Sequence, residues 1–178
     1  MPANDDLKAL IRTIPDFPKP GIQFRDITTL MLSPTGLATA IARMVAATDG
    51  PIDLVAGIEA RGFLFAAALA LPLNAGVLLI RKDGKLPGAT IAEDYALEYG
   101  TDRIAIHADA CAPGARVLLV DDLIATGGTA RAAVRLLRKA GATVSQAQFL
   151  VDLPDLGGAA ALAADDVAVT ALVAFNGH

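Results

Sequence analysis

The sequence predicts an α/β fold in which helices flank a central, mostly parallel sheet. Short apolar runs typical of strands alternate along the chain with longer segments of helical character, as expected of βαβ units. The run over residues 117–120 has no charge and lies between Arg116 and Asp121. An uncharged run of this length indicates a strand that is buried on both faces of a parallel sheet.

The amino-terminal segment is predicted to be a helix over residues 5–13, an irregular proline-rich stretch over 15–21, and a helix over 34–47. Beyond residue 50, strands and helices alternate. The predicted strands are residues 54–58, 77–80, 103–107, 117–120, 148–151 and 167–175. The predicted helices between them are residues 62–70, 129–140 and 156–164.

Length and composition favour one domain over residues 1–178. A chain of 178 residues with 54% hydrophobic composition can bury a large core, and no segment resembles a linker long enough to divide it. The net charge of −4 and the pI of about 5.0 argue against nucleic acid as the main partner. The single cysteine, Cys111, cannot form an internal disulfide, which fits a reducing compartment.

An uncharged run over residues 63–80 approaches the length of a membrane span. Pro72, Asn74 and Gly76 interrupt it, however, and favour a buried helix followed by a strand. Residues 1–6 contain two acids and no apolar core of a secretory signal. We therefore predict a cytoplasmic protein that does not bind a membrane.

The segment over residues 117–129 is the most informative motif. Asp121 and Asp122 are predicted at the carboxyl end of the buried strand, where open α/β sheets bind ligands. The turn over 125–129 can aim backbone N–H groups at a phosphate, because its glycines allow a close approach and a helix begins behind them. Carboxylates accept hydrogen bonds, so the two acids suit the hydroxyls of a ribose 5-phosphate. The alternative is a solvated acidic turn before a helix.

Three further segments carry candidate site residues. Residues 20–28 place Phe24 and Arg25 in a cap over the sheet, where Phe24 could stack on a planar base or simply be a core residue. Arg61 follows a strand and begins a helix, so its guanidinium can grip a pyrophosphate. Residues 81–88 concentrate cations around a glycine turn and read either as the start of a mobile lid or as a solvated hairpin.

The motif over residues 117–129 resembles the phosphoribosyl pyrophosphate (PRPP) motif of the type I phosphoribosyltransferases. With residues 20–28, 60–63, 81–88 and 97–100, most of the chain is similar to the adenine phosphoribosyltransferases. The resemblance implies a Rossmann-like sheet, a small amino-terminal hood over residues 1–35, and a flexible catalytic loop. It implies that PRPP and adenine are converted to AMP and pyrophosphate with Mg²⁺, which the PRPP itself chiefly holds.

The resemblance also assigns residue roles. Phe24 would stack on adenine, the backbone of Arg25 would pair with it, and Glu98 would exchange a proton with the purine while Tyr99 helps to close the lid. The ribose hydroxyls would lie on Asp121 and Asp122. The 5-phosphate would be held by Ala125, Thr126, Gly127, Gly128 and Thr129. The pyrophosphate would be held by Arg61, Arg81, Lys82 and Lys85.

A homodimer and a cis peptide bond between Glu59 and Ala60 are further implications of the resemblance. Two alternatives stay open at this point. The chain could act on hypoxanthine, guanine or xanthine, because stacking on Phe24 does not distinguish ring substituents. It could also be a non-catalytic PRPP-binding regulator, although no nucleic-acid-binding element is evident in the sequence.

Overall fold

The computed structural model describes residues 4–96 and 100–177. Its strands are β1 (Arg12–Pro15), β2 (Gln23–Asp26), β3 (Leu54–Ile58), β4 (Gly76–Lys82), β5 (Thr90–Ala96), β6 (Thr101–His107), β7 (Arg116–Ile124), β8 (Thr143–Asp152) and β9 (Ala168–Ala174). Its helices are α1 (Asp5–Lys8), α2 (Thr28–Met31), α3 (Pro34–Ala46), α4 (Gly62–Leu73), α5 (Gly128–Lys139) and α6 (Gly158–Ala163). A 3₁₀ turn over Pro154–Leu156 precedes α6.

The main sheet has seven strands in the order β5-β6-β4-β3-β7-β8-β9. The strands from β4 to β9 in this order are parallel to one another. At the other edge, β6 runs antiparallel to β4, and β5 runs antiparallel to β6. The mostly parallel sheet that the sequence predicts is therefore confirmed.

Apolar side chains on the two faces of the sheet form two separate cores. In β7, Val117 and Leu119 join the core under α5 and α6, whereas Leu118 and Val120 join the core under α3, α4 and the amino-terminal segment. This division follows from the strand, because successive side chains point to opposite faces. Residues buried on both faces explain why the sequence of β7 is uniformly apolar there.

The amino-terminal segment forms a hood that packs on the second core through Leu7, Ile27 and Leu30. Asp26 anchors it: its carboxylate accepts from the Thr28 hydroxyl at 2.7 Å and forms an ion pair with Arg12. The hydrogen bond from the Thr28 hydroxyl, and secondarily that from Arg12, lowers the pKa of Asp26 to about 2.

Several sequence predictions about elements were wrong. The helix predicted over residues 5–13 ends at Lys8, and Arg12–Pro15 instead pair with β2. Pro15 disfavours helical geometry in the residue before it. The helix predicted over 156–164 is divided, because Gly157 adopts a φ of +74° between the 3₁₀ turn and α6. Strand β5 and the short helix α2 were not predicted.

Among residues 4–96 and 100–177, no helix combines the length and the apolar composition that a membrane crossing requires.

Candidate active site

A cavity of about 290 Å³ opens at the carboxyl ends of β3 and β7. The chain leaves β3 toward β4 on one side, while β7 lies on the other side, so the strand order reverses at this point. Ligands of open α/β sheets bind at such reversals. The cavity is lined by Ile58, Glu59, Lys82, Tyr95, Asp121, Leu123, Ile124, Ala125, Thr126, Gly127, Gly128, Thr129, Ala130 and Phe149.

The turn over residues 125–129 forms one wall of the cavity, and all of its residues line it. Gly127 has a φ of +80° and immediately precedes α5, whose first turn is closed by the Arg131 N–H donating to the Gly127 carbonyl at 2.8 Å. A residue with a side chain would be strained at this φ. The turn and the start of α5 can thus present N–H groups and the positive end of the helix dipole to an anion.

Asp121 and Asp122 do not lie beyond the strand, as the sequence predicted, but within it. Strand β7 continues to Ile124 because β8 is long enough to pair with it to Asp152. Asp121 lines the cavity, whereas Asp122 is 6% exposed and is not part of its lining. The alternation of side chains along a strand explains why neighbouring acids are separated in this way.

The carboxylate of Asp121 lies in an environment that disfavours its charge. Burial, and secondarily the neighbouring charge of Asp122, raises the pKa of Asp121 well above its usual range. Its Oδ1 accepts the Asp122 N–H at 2.9 Å, which opposes part of that effect. A ligand hydroxyl that donates to Asp121 would compensate the buried charge.

Arg61 lies at the start of α4, and its Nε donates to Asp122 Oδ2. The guanidinium is half exposed, while the carboxylate is almost fully buried. Arg61 does not line the cavity in this structure. Asp122 therefore has a partner that the sequence did not predict, namely one of the cations assigned to the pyrophosphate.

Two of the other candidate cations, Arg81 and Lys82, also have carboxylate partners. Arg81 Nη2 lies 3.3 Å from Glu59 Oε1, and Lys82 Nζ lies 3.2 Å from Asp102 Oδ2. Arg81 and Lys82 belong to β4 rather than to the predicted lid. Of the candidate cations, Lys82 lines the cavity, while Arg81 and Lys85 do not.

Glu59 and Tyr95 line the cavity but were not singled out from the sequence. Glu59 accepts the Lys82 N–H at 2.9 Å. The hydrogen bond from the Arg81 side chain, and secondarily that from the Lys82 N–H, lowers the pKa of Glu59. Tyr95 is 8% exposed and donates its hydroxyl to Asp102 Oδ2 at 3.0 Å. Glu59 could have been found as the polar residue that directly follows a predicted parallel strand.

The hood holds Phe24 in β2, where its ring meets that of Phe17 edge to face at 5.2 Å. Phe24 is only partly buried and belongs to neither core, so the alternative of a core residue is not supported. The Arg25 side chain donates to Thr13 Oγ1 at 2.7 Å and stacks 4.5 Å above the Phe175 ring. The backbone of Arg25, to which the resemblance assigned base pairing, lies opposite Thr13 in the antiparallel pair of β1 and β2.

Two catalytic-loop predictions, Glu98 and Tyr99, lie outside the described residues. In the segment before them, residues 90–96 form β5 and pair with β6, while the predicted mobility of this lid stays a prediction. The Glu59–Ala60 peptide bond is cis, as the resemblance implied.

Comparison with known proteins agrees with this geometry. The family model described as "Phosphoribosyl transferase domain" matches residues 26–155. Adenine phosphoribosyltransferase from Bradyrhizobium sp. (strain BTAi1) is 60% identical over 174 residues, which cover 97% of each chain. The chain belongs to the adenine phosphoribosyltransferase family.

Solved structures of this family have the same fold. Adenine phosphoribosyltransferase from Rhodothermus marinus is 48% identical, with a TM-score of 0.91 over 97% of this chain and 98% of that one. The Saccharomyces cerevisiae enzyme, crystallised with an imino-altritol bisphosphate and adenine, is 36% identical with a TM-score of 0.87 and covers 95% and 97% of the two chains. The Rossmann-like type I phosphoribosyltransferase fold expected from the sequence is confirmed.

Proposed function

We propose that this chain is an adenine phosphoribosyltransferase, a glycosyltransferase of purine salvage that converts PRPP and adenine to AMP and pyrophosphate. The observation that carries the proposal is the cavity at the β3–β7 reversal. Its wall combines the Asp121 carboxylate with the glycine turn over residues 125–129, in a chain of this family.

The wall suits a ribose 5-phosphate. The N–H groups of the turn and the start of α5 would hold the 5-phosphate, and Asp121 would accept hydrogen bonds from ribose hydroxyls. Asp122, the second acid of the motif, accepts a hydrogen bond from Arg61. If PRPP replaces this contact, Asp122 would bind the ribose hydroxyls. If the contact persists, Asp122 would orient Arg61.

The leaving group would be stabilised by Arg61, Arg81, Lys82 and Lys85. In the described structure the first three pair with Asp122, Glu59 and Asp102. PRPP binding would exchange these carboxylates for pyrophosphate oxygens. Positioned cations lower the cost of the negative charge that develops as the pyrophosphate leaves.

Magnesium fits this site as an ion that is held chiefly by PRPP and binds together with it. Glu59 and Asp121 line the cavity, and no group of three or more His, Cys, Asp or Glu side chains within residues 4–96 and 100–177 could hold a metal. Mg²⁺ retains waters and binds through few carboxylates together with substrate phosphates. When bound, it would neutralise part of the pyrophosphate charge.

At the other end of the sugar, Phe24 would stack on adenine, and the Arg25 backbone would pair with the base edge. As the bond from C1 of the ribose to pyrophosphate breaks, a bond from the purine nitrogen to C1 forms. The proton on that nitrogen would pass to Glu98, and Tyr99 would help to close the loop over the site. Closure would exclude water and suppress hydrolysis of PRPP.

Incubation with PRPP, Mg²⁺ and each purine base in turn tests this proposal. Adenine should yield AMP and pyrophosphate at a rate far above that with hypoxanthine, guanine or xanthine. Faster nucleotide formation from another base would assign a different purine specificity. PRPP binding without turnover of any base would instead favour a non-catalytic regulator.

We further propose a cytoplasmic homodimer that uses the outer face of α4. The helix contains no charged residue, and it leaves Leu64 and Leu71 exposed. Val77 and Leu79 of β4 are exposed on the same side of the sheet, because they alternate with buried Leu78 and Ile80 of the opposite core. An apolar surface of this kind is typical of an interface between subunits.

A further inference from the structure

A second pair of glycines, Gly157 and Gly158, lies against the turn over residues 125–129. The Gly158 N–H donates to the Ala125 carbonyl at 3.0 Å. Neither glycine lines the cavity, whereas every residue of the turn does. Gly158 therefore contacts the turn from the side that faces away from the ligand.

The contact between Gly158 and the turn is too close for any other residue. A Cβ placed on Gly158 would lie 2.3 Å from the Ala125 carbonyl oxygen and 2.7 Å from the Gly127 nitrogen. Both are backbone atoms, which cannot rotate away as a flexible side chain could. From the other side, a Cβ on Gly127 would lie 3.0 Å from the Gly158 Cα. The two segments thus meet backbone to backbone.

We propose that Gly158 is a positioning residue for the 5-phosphate of PRPP. Its bare backbone lets the turn sit deep against α6, and its N–H fixes the Ala125 carbonyl. A side chain at this position would push the turn toward the cavity and misalign the N–H groups that receive the phosphate. This inference rests on the proposed function, because it presupposes that the turn binds the sugar phosphate.

The test is the variant Gly158→Ala, measured with ribose 5-phosphate and with pyrophosphate as separate ligands. We expect the Kd for ribose 5-phosphate to rise at least about tenfold, since misplacement by an ångström can cost two orders of magnitude. The Kd for pyrophosphate should change less than about twofold, because the cations assigned to it are not on the turn. In steady-state kinetics, the KM for PRPP should rise while kcat at saturating PRPP is largely retained.

Gly36→Ala is the matched control. A Cβ on Gly36 would lie 2.5 Å from Leu10 Cδ1, in the first turn of α3 and outside the cavity. This variant should keep its affinity for ribose 5-phosphate, because the contact is with the end of the Leu10 side chain, which can rotate away, and because Gly36 lies outside the cavity. Unchanged ribose 5-phosphate binding by Gly158→Ala, or an equal loss of both ligands, would overturn the inference. A wild-type protein that binds no ribose 5-phosphate would overturn the proposed function and, with it, this inference.

Hydrogen exchange on the unaltered protein keeps the inference testable if Gly158→Ala does not fold. Ribose 5-phosphate should slow exchange of the Gly158 amide, because an ordered turn holds its acceptor, the Ala125 carbonyl, in place. Pyrophosphate should not slow it. Exchange of this amide that is insensitive to ribose 5-phosphate would contradict the positioning role.

Discussion

At the scale of single residues, Asp121 combines a cost in stability with a proposed role in binding. Burial raises its pKa, so the ionised form is less favourable in the folded protein than in the unfolded chain. A raised folded-state pKa means that the contribution of Asp121 to stability is fully present below pH 3.8 and is lost as the pH rises through the folded-state pKa. At neutral pH the Asp121 carboxyl therefore lowers the stability of the folded protein.

Asp121→Asn should raise the free energy of unfolding at pH 7, because the amide is neutral and its oxygen can still accept the Asp122 N–H. The difference from wild type should shrink as the pH falls through the raised folded-state pKa of Asp121, because the wild-type carboxyl then becomes protonated. Urea unfolding across this pH range measures it. The same variant should raise the KM for PRPP at least about tenfold, because a charged acceptor is lost. A less stable variant at pH 7 would contradict the assigned cost of the charge.

In the proposed mechanism, the carboxylate of Asp102 would compete with pyrophosphate for Lys82. Their ion pair is partly exposed, and pairs of this kind contribute roughly 0.2–1 kcal/mol. Asp102→Ala should therefore tighten pyrophosphate binding by about two- to fivefold, which calorimetry can measure. Asp83→Ala is the control, because its longer ion pair of 3.5 Å is with Arg103 and not with a candidate cation. Weaker pyrophosphate binding by Asp102→Ala would mean that Asp102 holds Lys82 in place for the ligand.

The sequence indicated cavity-lining residues where their position in a strand or turn determines their location, while their roles stay predictions. The cavity includes Asp121 and the whole turn over 125–129, which the succession of a strand, two acids and glycines had indicated. It also includes Lys82 from the cationic segment over residues 81–88. The separation of Asp122 from Asp121 could not be predicted, because it depends on how far β8 extends beside β7. Likewise, the ion pair of Arg61 with Asp122 joins segments that lie 61 residues apart.

At the scale of elements, the antiparallel strands β5 and β6 come before and after the proposed catalytic loop in the sequence. Arg135 of α5 donates to Glu93 of β5 at 2.8 Å, and Lys139 donates to the Ala92 carbonyl at 3.2 Å. Helix α5, which begins at the turn over residues 125–129, is thus hydrogen-bonded to β5, which precedes Glu98 in the sequence. The proposed phosphate site and the proposed catalytic loop are thereby tied to the same helix.

Glu98→Ala should lower kcat at least about tenfold, since general acid–base catalysis is typically worth 10²- to 10⁴-fold. PRPP affinity should be nearly unchanged, because the residue is assigned to the purine proton and not to the sugar phosphate. Steady-state kinetics and calorimetry with PRPP measure the two effects. Glu93→Ala, which removes a partly exposed ion pair between β5 and α5, provides the comparison. Wild-type turnover by Glu98→Ala would refute the assignment.

Elements were predicted well where apolar periodicity is strong. All the predicted strands are present, and most are longer than expected, because polar residues at their ends still pair with a neighbour. Strand β5 was not predicted, since its Glu93 and Asp94 resemble a solvated loop. Their charges are instead met by Arg135 and Arg103, which are distant or on the paired strand. Such tertiary contacts have no local signal in the sequence.

At the scale of the whole molecule, the reversal of strand order explains the position of the site. Apolar packing on both faces holds β3 and β7 side by side, and their carboxyl ends open into one cavity. The parallel sheet and the site at its edge followed from the order of elements. Strand order itself could not be read from the sequence, because it depends on pairing between distant segments. The single-domain interpretation stays a prediction.

The proposed dimer makes a prediction at this scale. Wild-type protein should have about twice the chain mass of 18.2 kDa in analytical ultracentrifugation. Leu71→Glu should shift it toward the monomer, because Leu71 is 84% exposed and a charge there would be buried unpaired in an interface. Leu32→Glu is the control, since Leu32 is 81% exposed but lies outside α4. A wild-type monomer, or an unaffected Leu71→Glu dimer, would contradict the proposed face.

A crystal structure with bound AMP tests the central claim most directly. The account predicts that the phosphate lies on the N–H groups of residues 126–129, with a ribose hydroxyl on Asp121 and the adenine ring beside Phe24. AMP bound at another place, with the cavity between β3 and β7 empty, would contradict it.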